Sequence, residues 1–256
     1  MKQALLIVSF GTSVPQARES ITAVEKTLCK TAPDWDFYRA FTSPTIRRIL
    51  KKRGETVLSL EQALSELAER GYQIVAIQPT HLLCGFEYDK IRNTVEQYKM
   101  RFASLTLGQP LVSNTAELRK IAELMSAQYP KKKDRAVVFM GHGTEHFSNM
   151  IYPALQTAFA MIGRTDMLVG TVEGWPGISE IIMQLREKNC TEAQLVPLML
   201  VAGDHAVNDM AGDHPDSWKS RLEQNEIAAC CTLSGLGVLP GIQEMYCTHL
   251  ADLLDR

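Results

Sequence analysis

Two stretches of this chain read almost alike: ALLIVSFGT at residues 4–12 and AVVFMGHGT at residues 136–144, displaced by 132 positions. At that same displacement Pro44 meets Pro176 and Ile46 meets Ile178. Further on, Pro79–Gly85 matches Pro197–Gly203 with the displacement reduced to 118. A solenoid repeats every 20–50 residues or so. A period this long, present twice, points instead to two copies of one α/β unit.

The pattern within each copy agrees. Short apolar runs at 4–8, 36–41, 74–78 and 105–107 predict strands, and the intervening segments predict helices at 15–30, from Ser43-Pro44 to Gly54, at 58–70, 87–102 and 117–128. Ser43 is placed to cap free N–H groups, and Pro44 suits the first helical position. Pro130 and the charged run Lys131–Asp134 interrupt the pattern. The second cycle predicts strands at 136–140, 167–172, 194–200 and 229–233, with helices at 152–162, 178–188, 215–225 and 242–254. Alternating strand and helix means parallel sheets with right-handed crossovers. Runs that are apolar throughout mean sheets covered on both faces. The expected fold is therefore α/β: two similar doubly wound, Rossmann-like halves, residues 1–130 and 131–256, facing a central cleft.

Composition excludes several classes. With 45% hydrophobic and 22% charged residues among 256, the chain can bury a core and is not a disordered one. A net charge of −2 supplies no basic field, so nucleic acid is not expected as a partner. The longest relevant apolar run, Leu195–Ala202, falls far short of the roughly 20 residues of a membrane span. The run Ala4–Val8 is too short for a secretory leader. Six scattered cysteines without a CxxC signal neither a zinc knuckle nor a redox pair. Reduced thiols in the cytoplasm are the expectation. Oligomeric state is left open.

Ligands of doubly wound sheets bind beyond the carboxyl ends of the strands. In the second copy three strands lead into His142, Glu173 and His205; the matching positions of the first copy hold Phe10, Phe41 and Glu87. Two imidazoles and one carboxylate suit a borderline divalent ion such as Co²⁺, Ni²⁺, Fe²⁺ or Zn²⁺, and three ligands leave positions open. The plainer alternative is that these histidines only hydrogen-bond at strand ends. His146 follows His142 by four residues but without the H-E-x-x-H pattern of zinc proteases. His81, His214 and His249 read as structural or loop residues. Arg39, Arg47, Arg48, Lys51, Lys52 and Arg53 form either a solvated face or a landing surface for a polyanion. Phe10 and Trp175 lie beside strand ends, where they either pack the core or wall a flat aromatic ligand. A nucleotide-dependent enzyme is disfavoured, because GHG lacks the third glycine of a dinucleotide fingerprint and no GKS or GKT occurs.

Several stretches together resemble a known family. They are LLIVSFGTS at 5–13, RAFTS at 39–43, VVFMGHGTEH at 137–146, VPLMLVAGDHAVNDMAGD at 196–213, DSW at 216–218 and LSGLG at 233–237. Nearly end to end, the chain resembles the anaerobic cobalt chelatases of cobalamin synthesis, the CbiK type. The resemblance implies a class II chelatase fold, with two α/β halves around a tetrapyrrole-binding cleft. It implies ATP-independent insertion of Co²⁺ into sirohydrochlorin, an anionic tetrapyrrole, with the metal as substrate and no organic cofactor. It places metal ligation on His142, Glu173 and His205, and makes His142 also the base that removes pyrrole protons. Phe10, Arg39, Glu87 and Trp175 are the expected substrate contacts. Alternatives are insertion of Fe²⁺ or Ni²⁺ into a related tetrapyrrole, or a carrier of tetrapyrrole or metal without turnover. Parts for Glu145, His146 and Glu87 in the chemistry stay open.

Overall fold

Apolar residues run without interruption through the first strand, β1 (Gln3–Ser9), because Ala4–Val8 are buried on both faces of a sheet. The computed structural model describes residues 1–255. Their contacts form two units: Met1–Ser113 with the segment from Gly237 onward, and Asn114–Leu236.

In the first unit β1 leads through α1 (Arg18–Thr31) to β2 (Asp36–Phe41), then through α2 (Pro44–Lys52) and α3 (Leu60–Glu69) to β3 (Ile74–Pro79), and through α4 (Phe86–Tyr98) to β4 (Ser104–Leu107). The strands form one parallel sheet in the order β2-β1-β3-β4, with Ile7 beside Arg39 on one side and Gln78 on the other. Ser43 accepts the Ile46 N–H, as its place before Pro44 predicts. Ser59 and Gln62 close a capping box at the start of α3.

The second unit begins with α5 (Thr115–Gln128) and continues with β5 (Arg135–Gly141), α6 (Ile151–Met161), β6 (Met167–Thr171), α7 (Ile178–Glu187), β7 (Glu192–Pro197), α8 (Trp218–Glu223) and β8 (Ala228–Cys231). Its parallel sheet has the order β6-β5-β7-β8, the same order as the first. Val138, Met140, Leu168 and Leu195 of this sheet pack with Ile181, Leu185, Trp218 and Leu222 of its helices.

Several boundaries differ from expectation. The strand expected at 194–200 stops at Pro197, and the Leu198 N–H turns to the Met140 carbonyl at 2.8 Å. The helix expected at 215–225 shortens to α8, whose start is fixed by Ser217 accepting from the Ser220 N–H. The last helix, α9 (Pro240–Leu254), packs in the first unit against α1, with Thr27 Oγ1 donating to Gln243 Oε1 at 2.9 Å. Tyr246 of α9 donates to the Thr80 carbonyl at 2.8 Å. The contacts thus divide the chain elsewhere than at residue 130: α5 lies in the second unit and α9 in the first.

In each sheet the chain winds to one side of its first strand and then to the other. That reversal makes a switch point between β1 and β3, and again between β5 and β7. Crevices for ligands open at the carboxyl ends of such strand pairs.

Candidate metal centre

His142 follows β5 directly, His205 lies in the segment after β7, and Glu173 follows β6. Two of the three thus flank the switch point of the second sheet. The glycines around His142 are there for space. A Cβ on Gly141 would stand 2.1 Å from the Tyr152 ring, and one on Gly143 (φ +85°) would stand 2.5 Å from the Gly174 nitrogen. Without those Cβ atoms the loop after β6 lies directly on the loop after β5. The Val172 N–H donates to the Gly141 carbonyl at 3.0 Å and the Glu173 N–H to the His142 carbonyl at 2.7 Å. These two bonds fix Glu173 beside His142.

Asn149 ties the same loops from the side. Its Oδ1 accepts the Thr144 N–H at 3.1 Å, and its Nδ2 donates to the Trp175 carbonyl at 2.6 Å. The Gly143 N–H donates to the Tyr152 hydroxyl at 3.3 Å, and burial raises the pKa of that phenol. Tyr152 therefore remains a neutral hydroxyl under the loop.

The His142 and His205 rings meet edge to face with centroids 4.5 Å apart. His142 Nδ1 is 3.0 Å from the Gly143 carbonyl and 3.5 Å from Glu173 Oε2. One ligand atom from each of His142, Glu173 and His205 lies within 4.8 Å of the other two, the only such group of His, Cys, Asp or Glu among the described residues. The Glu173 side chain is 57% exposed and that of His142 44%, so the group is open to solvent on one side. Three ligands with an open side can take up an ion and give it away, which a closed four-ligand cage does not do.

The other expected site residues fall as follows. Phe10 and Trp175 are exposed rings, Phe10 just past β1 and Trp175 in the loop after β6. Glu87 sits in the first turn of α4, 2.5 Å from Lys90 Nζ. Burial works to raise its pKa, but Lys90 and Thr42 outweigh that and hold it below the usual carboxylate range. Arg39 is otherwise engaged: its guanidinium forms a two-pronged pair with Glu25 of α1, with Nε to Oε1 at 2.6 Å. The Glu25 side chain is buried, so this pair offsets the charge of the acid inside the first unit. That pairing gives Arg39 a local role in the first unit. His146 accepts the Ser148 N–H at 3.1 Å and starts the short 3₁₀ turn Phe147–Met150.

Three supporting residues escape the sequence reading: Tyr152, Asn149 and Asp209, which pairs with His205. Only Asp209 leaves a sequence trace, the helical i,i+4 spacing within DHAVND.

Paired parallel sheets of one topology, with an uncaged His–Glu–His group at the strand ends of one of them, define an α/β metal-handling protein of chelatase type. The family model described as cobalt chelatase (CbiK) matches residues 3–255. A sirohydrochlorin cobaltochelatase of Salmonella typhimurium is 43% identical over 258 residues, covering 100% of this chain and 97% of the relative. The sirohydrochlorin cobaltochelatase CbiKC of Nitratidesulfovibrio vulgaris is 32% identical over 255 residues, covering 97% and 89%. In fold the chain resembles SirB from Bacillus subtilis, solved with Fe³⁺, with a TM-score of 0.69 at 16% identity, covering 99% of this chain and 96% of that one. The chain belongs to the cobalt chelatase (CbiK) family.

Proposed function

We propose that this protein inserts Co²⁺ into sirohydrochlorin without ATP, in anaerobic cobalamin synthesis. The observation that carries the reading is the meeting of His142, Glu173 and His205, from three strand ends, within 4.8 Å of one another. Family membership supplies the substrate class.

The chemistry follows from the donor set. Two neutral imidazoles and one carboxylate strip water from a Co²⁺ ion and lower the local charge to about +1. An incoming tetrapyrrole offers its inner nitrogens to the open side of the ion. Metallation must release two N–H protons. A single imidazole lone pair holds either the metal or a proton, never both. As the ion passes to the macrocycle, the lone pair on His142 becomes free and accepts a pyrrole proton, which solvent then removes. The second proton leaves by Glu173 or by water. No nucleotide or organic cofactor enters this scheme.

We retain Phe10 and Trp175 as apolar contacts for the macrocycle, and Glu87 as a polar contact. Arg48, Lys51 and Lys52, exposed on α2, are the cations left to meet substrate carboxylates. We place the reaction in the cytoplasm, where six scattered cysteines without a CxxC are expected to stay reduced. No helix is long and apolar enough to cross a membrane among the described residues.

Insertion is followed by the change in tetrapyrrole absorption on adding Co²⁺. His142→Ala is expected to lower the rate about 100-fold or more while the wild type makes many turnovers. Undiminished insertion by the variant overturns the assignment of His142. A single stoichiometric binding event in the wild type overturns the enzyme in favour of a carrier.

A further inference from the structure

His142 and His205 stand side by side, yet their outer nitrogens meet different groups. Nδ1 of His142 has the neutral carbonyl of Gly143 nearest, at 3.0 Å, with Glu173 Oε2 beyond it at 3.5 Å. Nδ1 of His205 faces the carboxylate of Asp209, Oδ2, at 2.6 Å. A carboxylate at that distance holds the proton on Nδ1 and leaves the Nε2 lone pair as the one available to a metal.

The local backbone is built around this contact. Ala206–Met210 forms a π-helical turn, in which the Ala211 N–H reaches the Ala206 carbonyl at 3.2 Å. Such turns are rare and collect at functional sites. This one is closed by Gly212, where a Cβ would stand 2.4 Å from the Asn208 carbonyl oxygen. The neighbouring acid, Asp204, is occupied differently: its Oδ1 accepts from Asn208 Nδ2 at 2.8 Å.

We propose that Asp209 is a positioning residue that fixes the tautomer of His205 and makes it the stronger metal-holding imidazole of the pair. This rests on the metal-site reading above and adds to it a division of labour. His205, backed by a full negative charge, is the more electron-rich ligand and keeps the ion in place. His142 has the Gly143 carbonyl at 3.0 Å and the Glu173 carboxylate, itself one of the three proposed ligands, further off at 3.5 Å, so no carboxylate outside the ligand set backs its ring and it gives up the ion more readily.

The test uses the full chain and Co²⁺ alone, by titration calorimetry, with Asp209→Ala, Asp209→Asn, Asp204→Asn and His205→Ala. Asp209→Ala is expected to weaken Co²⁺ binding about 10–100-fold, in the range typical for loss of such a supporting carboxylate. Asp209→Asn keeps the side-chain shape and an acceptor oxygen but not the charge, so its loss should be smaller, and a folded chain is expected. Asp204→Asn should bind like the wild type. In the metal-free protein, ¹⁵N shifts of the His205 ring should show the proton on Nδ1 and a shift towards the other tautomer in Asp209→Ala. In turnover, the KM for Co²⁺ should rise while the KM for the tetrapyrrole stays unchanged.

Binding by Asp209→Ala within threefold of wild type, with His205→Ala impaired, overturns the role of Asp209 and leaves the metal site standing. Equal losses in Asp204→Asn and Asp209→Ala overturn it too, in favour of a general charge effect. If His205→Ala also binds Co²⁺ normally, the metal-site reading falls with it.

Discussion

Two histidines of this chain show how surroundings decide what an imidazole can do. His142 is half-exposed beside Glu173. His81, two residues past β3, has both ring nitrogens buried with no hydrogen-bond partner among the described residues. Burial pushes its pKa down to about 4, against a smaller opposing effect of Glu87. The folded chain therefore keeps His81 neutral, while the unfolded chain takes up that proton near pH 6.5. Stability is complete above that pH and falls as pH drops from about 6.5 to about 4, by about 2 kcal/mol between pH 7 and pH 5. Urea unfolding at the two pH values should show this loss in the wild type and a smaller one in His81→Gln. Equal losses would mean that His81 is not held neutral by the fold. Arg39 gives the same lesson in charge. The sequence shows a cation near a strand end and a run of further cations. It does not show that Glu25, fourteen positions earlier and buried on α1, faces it.

At the scale of elements, the proposed metal centre depends on two loops lying closer than side chains ordinarily allow. Gly143 combines a left-handed φ of +85° with a Cβ position 2.5 Å from the Gly174 backbone. Gly163 shares the conformation, φ +79°, but has nothing within 4 Å. Gly163→Ala should therefore cost only the conformational strain, about 1–2 kcal/mol, and leave Co²⁺ binding intact. Gly143→Ala should cost more than that in thermal or urea unfolding. It should also weaken Co²⁺ binding, because the loop carrying Glu173 must move. Equal Co²⁺ affinity in the two variants would contradict the close approach. The sequence shows GHG and its repeat partner SFG, which locates a turn after each first strand. Which backbone crowds Gly143 depends on a segment about thirty residues later. The π-turn is likewise invisible in the sequence, which predicts no element between 200 and 215, although Asp209, four residues after His205, sits in plain view.

At the scale of the molecule, the displacement of 132 residues is legible because both sheets share one strand order and the first strand of each, β1 and β5, is buried on both faces. Burial forces apolar runs, and apolar runs survive as a readable pattern. The grouping of helices with sheets is less legible. The apolar faces of α5 and α9 announce that each is buried, through Leu118, Ile121 and Met125 in one and Ile242, Tyr246 and Leu250 in the other, without naming the sheet each covers. Only packing decides that α9 sits on α1 and α5 beside α6. The site is legible for the same reason as the sheets: chemistry in this fold gathers at strand ends, and the sequence marks those ends with His142, Glu173 and His205.

The most direct test of the account is a crystal structure of the whole chain with Co²⁺ bound, the metal located by its anomalous scattering. The account predicts one ion within bonding distance of His142, Glu173 and His205 together, with the remaining positions open to solvent. An ion bound through other side chains, such as His146 or His214, with those three left unligated, would contradict it.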